Sequence, residues 1–186
     1  ADPPAFGADG AGNACLPHEA SCAALIFEGL TYPYRRPDTS YLYVDGGTYP
    51  YVEARDNLLG TATVALPDGT PIRVDDLLSA LGLGALANDA LVPVAGYGSN
   101  PAPSQLRRKF AQAARDEPVV MAVMKGEVEG YDVVWTPFFT QYGAMPSTIF
   151  PSPGTTVDIW INWMRAADVT RMDATESIGR WIAHAA

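Results

Sequence analysis

Short apolar and aromatic runs, separated by turns rich in glycine and proline, dominate the first half of the chain. The run Tyr41–Val44 leads into Asp45-Gly46-Gly47, and the run Thr48–Val52 follows. Two such runs around an Asp-Gly turn predict a β-hairpin, because these turn residues tolerate the left-handed conformations that tight hairpins need. Thr61–Leu66 and Ile72–Val74, on either side of Pro-Asp-Gly-Thr, predict a second hairpin.

A short helix and a domain boundary are predicted after the second hairpin. Asp75 is a suitable N-cap for a helix to Leu81, and Gly82 suits the left-handed residue that ends such a helix. The following stretch, as far as residue 89, is small and glycine-bearing, so we divide the chain there. This predicts a loose arm over residues 1–23, a hairpin-rich extension over 24–90 and a domain over 91–186.

The second half begins with a strand, a glycine turn and a helix. Leu91–Ala95 is an apolar strand that breaks at Gly96. Ser104 is predicted to cap a helix whose Leu106, Phe110 and Ala113 share one face. Further strands and a last helix are predicted at Val119–Met124, Tyr131–Trp135, Ser147–Phe150, Val157–Trp163 and about Ala166–Glu176.

Composition and charge exclude two classes of partner. Of 186 residues, 48% are hydrophobic and 18% are charged, which suits a globular α+β protein with a core of its own. The net charge of -9 gives no basic footprint for nucleic acid. Arg107-Arg108-Lys109, the densest basic cluster, is predicted to be a solvated helix face. No apolar run approaches the roughly 20 residues that span a bilayer.

The two cysteines, Cys15 and Cys22, leave two alternatives open. They close a small disulfide loop if the protein is exported, or they are two small residues in a loop, which is the favoured interpretation. With His18 they supply at most three ligands at a spacing that matches no zinc motif, so no metal site is predicted. The chain begins at Ala1 without a methionine, which leaves a removed signal peptide open, and the cytoplasm is the favoured compartment.

The turn Tyr97-Gly98-Ser99-Asn100 is the first candidate site. Gly96 and Gly98 let the main chain approach a ligand closely, and amides near the start of a helix can bind an anion or a developing oxyanion. Pro101 occupies the place of the third glycine in a dinucleotide-binding fingerprint, and the flanks of Ser99 do not match a hydrolase elbow. Ser99 is not expected to be a nucleophile, because the histidines are confined to positions 18 and 184. Taken alone, such a turn is more often structural.

Glu176 is the second candidate. It shares a helical stripe with Val169 and Met172, so its carboxylate is predicted to meet the interior or a pocket. A buried carboxylate without a partner is costly, so it tends to be paired or to act as an acid or base. The alternatives are that Glu176 pairs with Arg171 or Arg180, or that it faces water at the helix end.

Four segments, in order, resemble the γ-glutamylcyclotransferase-like family, over roughly residues 91–178. One is the Tyr-Gly-Ser-Asn turn with the helix that follows it, and another is a middle strand. The third is a Pro-Ser-Thr-Ile stretch before a Pro/Gly turn, and the last is an acidic helix. They are Tyr97–Phe110, Gly130–Trp135, Pro146–Gly154 and Asp168–Glu176.

The resemblance implies a fold, a site and a reaction. The family fold is a small mixed β-barrel with short helices, here with the hairpin-rich extension before it. Tyr97, Gly98, Ser99 and Asn100 would bind a small-molecule γ-glutamyl substrate, and Glu176 would be the general acid/base. The implied reaction is cyclisation to 5-oxoproline with release of an amine or amino acid, and it needs no cofactor.

Two departures from the family pattern leave alternatives open. Ser177 stands where the family has glycine, and the family continues past this helix with strands that complete its barrel. The predicted strands at 41–74 are one possible replacement for the missing family strands. A second chain, either a homodimer copy or another partner, is the second alternative, and an incomplete sequence is the third. A non-catalytic binding module and an assembly protein with a vestigial pocket are the alternative functions.

Overall fold

The computed structural model describes residues 26–27, 29–111, 118–140 and 143–174. Within them the protein is α+β, with an antiparallel seven-stranded sheet and short helices. The strands are β1 Tyr41–Val44, β2 Gly47–Glu53, β3 Thr63–Ala65, β4 Pro71–Arg73, β5 Val92–Gly96, β6 Val120–Trp135 and β7 Ser147–Met164. The helices are α1 Val74–Ala80, α2 Pro103–Ala111 and α3 Ala166–Ala174, with a 3-10 helix at Gly84–Asn88.

The strand order is β4-β3-β2-β1-β6-β7-β5. Both predicted hairpins are present, as β1–β2 and β3–β4. At the first turn Asp45 has φ 47° and Gly46 has φ 102°, the pair of positive values that a two-residue hairpin turn requires. The sheet runs open from β4 to β5, so the α+β prediction is confirmed, whereas closure into a barrel is not shown.

The described chain divides into two compact units. Unit one takes its residues from Ala1–Arg35, Tyr97–Ser99 and Val128–Val157, and unit two takes the others. Strands from both sides of the predicted boundary at residue 90 share the sheet. The division at that residue stays a prediction. No helix in the described ranges has the length and apolar character needed to cross a membrane.

Strand β1 is the centre of unit two, and all four of its side chains are buried. Tyr41 and Tyr43 join one apolar cluster, while Leu42 and Val44 join another. Successive strand residues point to opposite faces of a sheet, so this division means that both faces are covered. A run of four buried residues without polar alternation is the pattern such a strand requires.

The first cluster places two helices on one face of the sheet. Leu106 and Phe110 of α2 and Met172 of α3 pack with Tyr41 and Met121. The predicted common face of Leu106 and Phe110 is therefore confirmed, whereas Ala113 lies outside the described residues. On the opposite face, the second cluster is built around α1 with Val74, Leu77 and Leu78.

The two predicted N-caps are wrong, although the helices exist, whereas the left-handed glycine predicted to end the first helix is confirmed. Helix α1 begins at Val74 with Arg73 as its N-cap, and Asp75 is a first-turn residue. Asp75 accepts a hydrogen bond from the Arg73 guanidinium, which lowers the pKa of Asp75. Helix α2 begins at Pro103, which suits the first helical position because no N–H is needed there, so Ser104 lies inside the helix. Gly82 does follow α1 with φ 75°.

Two long strands replace four predicted short ones. The segments 119–124 and 131–135 belong to one strand, β6, and the segments 147–150 and 157–163 belong to β7. Gly130 and Gly154 have φ values of 78° and 85°, so each strand absorbs its glycine as a local irregularity. The turn predicted between Pro146 and Gly154 is therefore wrong, because the residues from Ser147 onward belong to a continuous strand.

Tyr41→Phe tests the coupling between the sheet and the segment that leads into α2. The Tyr41 hydroxyl donates a buried hydrogen bond of 2.5 Å to the Pro101 carbonyl. Its loss leaves that carbonyl without this donor, so we expect the free energy of unfolding to fall by about 1–2 kcal/mol. Urea unfolding followed by circular dichroism measures the change. Tyr49→Phe is the matched control, because the Tyr49 hydroxyl has no hydrogen bond to the described residues; equal stability of both variants would contradict the coupling.

Candidate active site

The turn Tyr97-Gly98-Ser99 is held in unit one by Ser147 and Tyr32. The Ser147 hydroxyl donates to the Tyr97 carbonyl at 3.2 Å. The Ser147 amide donates to the Tyr32 hydroxyl oxygen at 3.3 Å, and the two hydroxyl oxygens are 3.4 Å apart. The Tyr-Gly-Ser-Asn segment and the Pro-Ser-Thr-Ile segment, which the resemblance selects from distant parts of the sequence, therefore meet in the structure.

Two main-chain donors of this turn have no acceptor in the described part of the chain. The amides of Gly98 and Ser99 make no hydrogen bond to any described residue. Both residues are half-buried. Adjacent amides with no protein acceptor are the donors that an anionic ligand or a developing oxyanion can use.

Gly98 is closely packed against two side-chain hydroxyl groups. A β-carbon there would lie 2.9 Å from the Tyr32 hydroxyl oxygen and 3.2 Å from the Ser147 hydroxyl oxygen. Both distances are shorter than ordinary van der Waals contact. Tyr32 is thus a neighbour of the turn that the sequence analysis missed, because it lies sixty-six positions before Gly98 in a segment without a recognisable motif.

Asn100, the last residue of the predicted turn, belongs to unit two. Its side-chain oxygen accepts a hydrogen bond from the Lys109 ammonium at 2.7 Å. The same ammonium lies 3.6 Å from the Met172 sulfur. Lys109 therefore links the end of the turn to α3, the helix of the stripe that was predicted to carry the catalytic carboxylate.

The basic cluster Arg107-Arg108-Lys109, predicted to be a solvated helix face, is exposed at Arg107 and half-buried at Arg108 and Lys109. Arg107 is exposed, but its guanidinium donates to the Gly46 carbonyl at 2.9 Å. Arg108 donates to the Gln105 side chain at 2.6 Å. Each of the three cations donates to a specific acceptor. Three adjacent basic residues in a sequence do not predict these acceptors.

Asn162 of β7 is a buried amide within an apolar strand. It is 1% exposed, and its nitrogen donates to the Asn100 carbonyl at 3.3 Å. Its oxygen has no hydrogen-bond partner among the described residues. The sequence analysis placed this position in the strand Val157–Trp163 and did not identify it as a polar support of the turn.

A buried ion pair fixes the start of α3. Asp168 is fully buried and accepts a hydrogen bond of 2.9 Å from the Arg165 guanidinium. Arg165 also donates to the Pro118 carbonyl at 2.9 Å. Asp168 is the first acidic residue of the helix that resembles the family motif, and its role here is to position that helix.

The predicted acid/base, Glu176, lies outside the described residues. Its stripe partners are described: Met172 is buried in the first cluster and Val169 packs against that cluster. The apolar face predicted for α3 is therefore confirmed at Val169 and Met172. The residues Cys15, His18, Cys22 and His184 also lie outside the described ranges.

A charged cleft of about 840 Å³ lies in unit two. Its lining includes none of the residues of the predicted turn Tyr97–Asn100. It includes Asp38, Glu127 and Asp158 with Arg36 and Lys125, and the Lys125 ammonium lies 5.4 Å from the centre of the Trp160 ring. Within the described residues, no group of three or more His, Cys, Asp or Glu side chains could hold a metal ion.

The geometry of the turn stands without support from known relatives. No protein-family model, curated protein or solved structure matches this chain.

Gly98→Ala tests the packing of the turn. The added methyl group must displace the Tyr32 hydroxyl, so we expect the free energy of unfolding to fall by about 1–3 kcal/mol. Tyr32→Phe removes the oxygen that the methyl group meets, so it should recover part of that loss in the double variant. A double-mutant cycle measured by urea unfolding gives the coupling. Additive effects of the two substitutions would show that Tyr32 and Gly98 do not contact each other in solution.

Proposed function

We propose that this protein catalyses the cofactor-free cyclisation of a γ-glutamyl compound, releasing 5-oxoproline and an amine or amino acid. The turn Tyr97-Gly98-Ser99-Asn100 binds the substrate, and Glu176 is the general acid/base. The proposal includes the small mixed β-barrel of the γ-glutamylcyclotransferase-like family. In that barrel, the open edge strands β4 and β5 would be covered by other residues of this protein or by a second chain.

The observation that carries the proposal is the pair of amides at Gly98 and Ser99, which have no acceptor among the described residues. Ser147 fixes the turn that presents them through its hydrogen bond to the Tyr97 carbonyl. A fixed pair of donors stabilises a developing oxyanion more than a mobile pair does, because little reorganisation is needed during the reaction.

Lys109 supplies the second support. It contacts Asn100 at one end of the turn and Met172 in α3. In the sequence, Glu176 follows Met172 by four residues, the spacing of helix neighbours on one face. Within unit two, Lys109 thus connects Asn100 with the residue of α3 that precedes Glu176 by one helical turn.

The reaction requires few protein groups. The α-amine of the substrate attacks its own γ-carbonyl carbon, and the new C–N bond closes the five-membered ring. Glu176 takes the proton from the attacking amine and returns it to the leaving nitrogen, whose bond to the carbonyl carbon then breaks. The turn amides of Gly98 and Ser99 stabilise the oxyanion formed in between. Holding both ends of one molecule together gives effective concentrations that can reach about 10⁵ M or more.

A non-catalytic module that binds a small molecule or supports an assembly is the alternative. The close packing of Gly98 against Tyr32 and Ser147 favours it, because that packing disfavours a larger residue even in a protein without turnover. An assembly protein whose aromatic-rich first half packs on a partner is less well supported at Tyr41 and Tyr43, because both side chains are buried in the chain's own core.

Glu176→Gln separates these functions. We expect the wild type to release 5-oxoproline from at least one member of a panel of γ-glutamyl amino acids, peptides and amines, measured by mass spectrometry. The glutamine variant should lose about 10²-fold or more of that rate, because the proton acceptor is removed while shape is kept. Asp173→Asn, at an exposed position of α3, is the matched control and should retain activity.

Circular dichroism of both variants excludes unfolding as the cause of the loss. Full activity of the glutamine variant would remove Glu176 from the mechanism. Binding of a panel compound without any 5-oxoproline would leave the binding module as the function.

A further inference from the structure

The charged cleft of unit two has no part in the proposed reaction. Its volume of about 840 Å³ lies within the range of small-molecule sites in proteins, roughly 300–1,000 Å³. Three segments that are distant in the sequence surround it: the chain just before β1, a part of β6 and a part of its neighbour β7. They are residues 36–38, 125–127 and 158–160. A concave space of this size, walled by several segments, is a candidate site for a small molecule.

The cleft begins where the helices cease to cover the sheet. Along β6, Met121 and Val123 pack in the first cluster with α2 and α3. Alternate residues of a strand share a face, so Lys125 and Glu127 continue the same row beyond the cluster. On β7, Trp160 belongs to the first cluster and is only 7% exposed. The cleft therefore combines an apolar floor at Trp160 with a charged row on the same face of the sheet.

The chain before β1 is attached to the strands on both sides of β1. The Lys125 amide of β6 donates to the Ser40 hydroxyl oxygen at 3.0 Å. The Tyr51 amide of β2 donates to the Ser40 carbonyl at 2.9 Å. Ser40 follows Asp38 by two residues, so these bonds hold the first segment of the cleft beside β6. The walls of the cleft are thus joined by hydrogen bonds within unit two.

Five charged side chains line the cleft and form no ion pair within the described part of the chain. Elsewhere in unit two, Arg73 pairs with Asp75 and Arg165 pairs with Asp168. The first of the five is half-buried and the other four are exposed. They are Arg36, Asp38, Lys125, Glu127 and Asp158. The cleft therefore presents charges of both signs to a ligand.

This mixture of charges selects the class of ligand. The three carboxylates repel a compound that carries only negative charge, and the two cations repel a compound that carries only positive charge. Among the described residues, no group of His, Cys, Asp or Glu side chains could hold a metal ion. A small compound that carries one charge of each sign can place each of them beside an opposite charge.

We propose that the cleft binds a free α-amino acid. The carboxylate of the amino acid meets Arg36 and Lys125, and its ammonium meets the carboxylates of the lining. Trp160 offers an apolar contact to the side chain of the amino acid. This binding is separate from the proposed reaction, because a free amino acid has no γ-glutamyl bond and the lining includes no residue of the turn.

Amide chemical shifts of the isotopically labelled protein, recorded during titration with single L-amino acids, test this proposal. Contacts between exposed charges are weak, so we expect a dissociation constant of about 1 mM for the best amino acid. The amides of residues 125–127 and 158–160 should shift most. Propionate and propylamine each carry one of the two charges and should bind at least about threefold more weakly. Unshifted cleft amides at about 10 mM amino acid, or equal binding of a compound with a single charge, would overturn the proposal.

A charge reversal locates the site. Arg36→Glu should weaken amino-acid binding about tenfold or more, because attraction of the ligand carboxylate becomes repulsion. Arg55→Glu is the matched control and should bind as the wild type does, since Arg55 is an exposed residue of unit two outside the lining. Circular dichroism shows whether both variants are folded. Wild-type affinity of the Arg36 variant, or an equal loss in both variants, would mean that the ligand does not bind in this cleft.

Discussion

Burial of strand β1 on both faces is the constraint on which unit two depends. Tyr41 and Tyr43 need α2 and α3 above one face, while Leu42 and Val44 need α1 below the other. These helices come from both halves of the sequence, so neither half can bury the strand alone. The hydrogen bond from Tyr41 to the Pro101 carbonyl extends the same constraint to the segment between the glycine turn and α2. Burial, and to a lesser degree the neighbouring Tyr43, raises the pKa of Tyr41 far above its usual range, so the hydroxyl stays a donor at physiological pH.

Local sequence patterns predicted the elements whose structure depends on neighbouring residues. The hairpin at Asp45-Gly46 follows from turn residues that accept positive φ, and the face of α2 follows from the spacing of Leu106 and Phe110. They did not predict the extent of strands, which depends on pairing between residues far apart in the sequence. Pro151, Pro153 and Gly154 read as a turn, yet they lie inside β7, because a strand whose N–H groups need no neighbour on one side can tolerate proline.

The supports of the candidate site were the least accessible to sequence reasoning. Tyr32 lies close to Gly98, and Lys109 and Asn162 form hydrogen bonds with Asn100. Tyr32 and Asn162 belong to no motif, and neither the basic cluster nor the family-like helix that contains Lys109 predicts its contact with Asn100. Each contact depends on which segments the fold brings together. A buried asparagine in an apolar strand is a recognisable signal in retrospect, since a buried polar group needs a partner, and here its partner is the Asn100 carbonyl.

The proposed chemistry depends on two main-chain N–H groups being available to a substrate oxygen. Amide chemical shifts of the isotopically labelled protein, recorded during titration with a γ-glutamyl compound, report on these groups directly. If the mechanism is correct, the amides of Gly98 and Ser99 are among those that shift most at saturation. Shifts confined to the charged cleft around Lys125 and Trp160, with both turn amides unchanged, would contradict it.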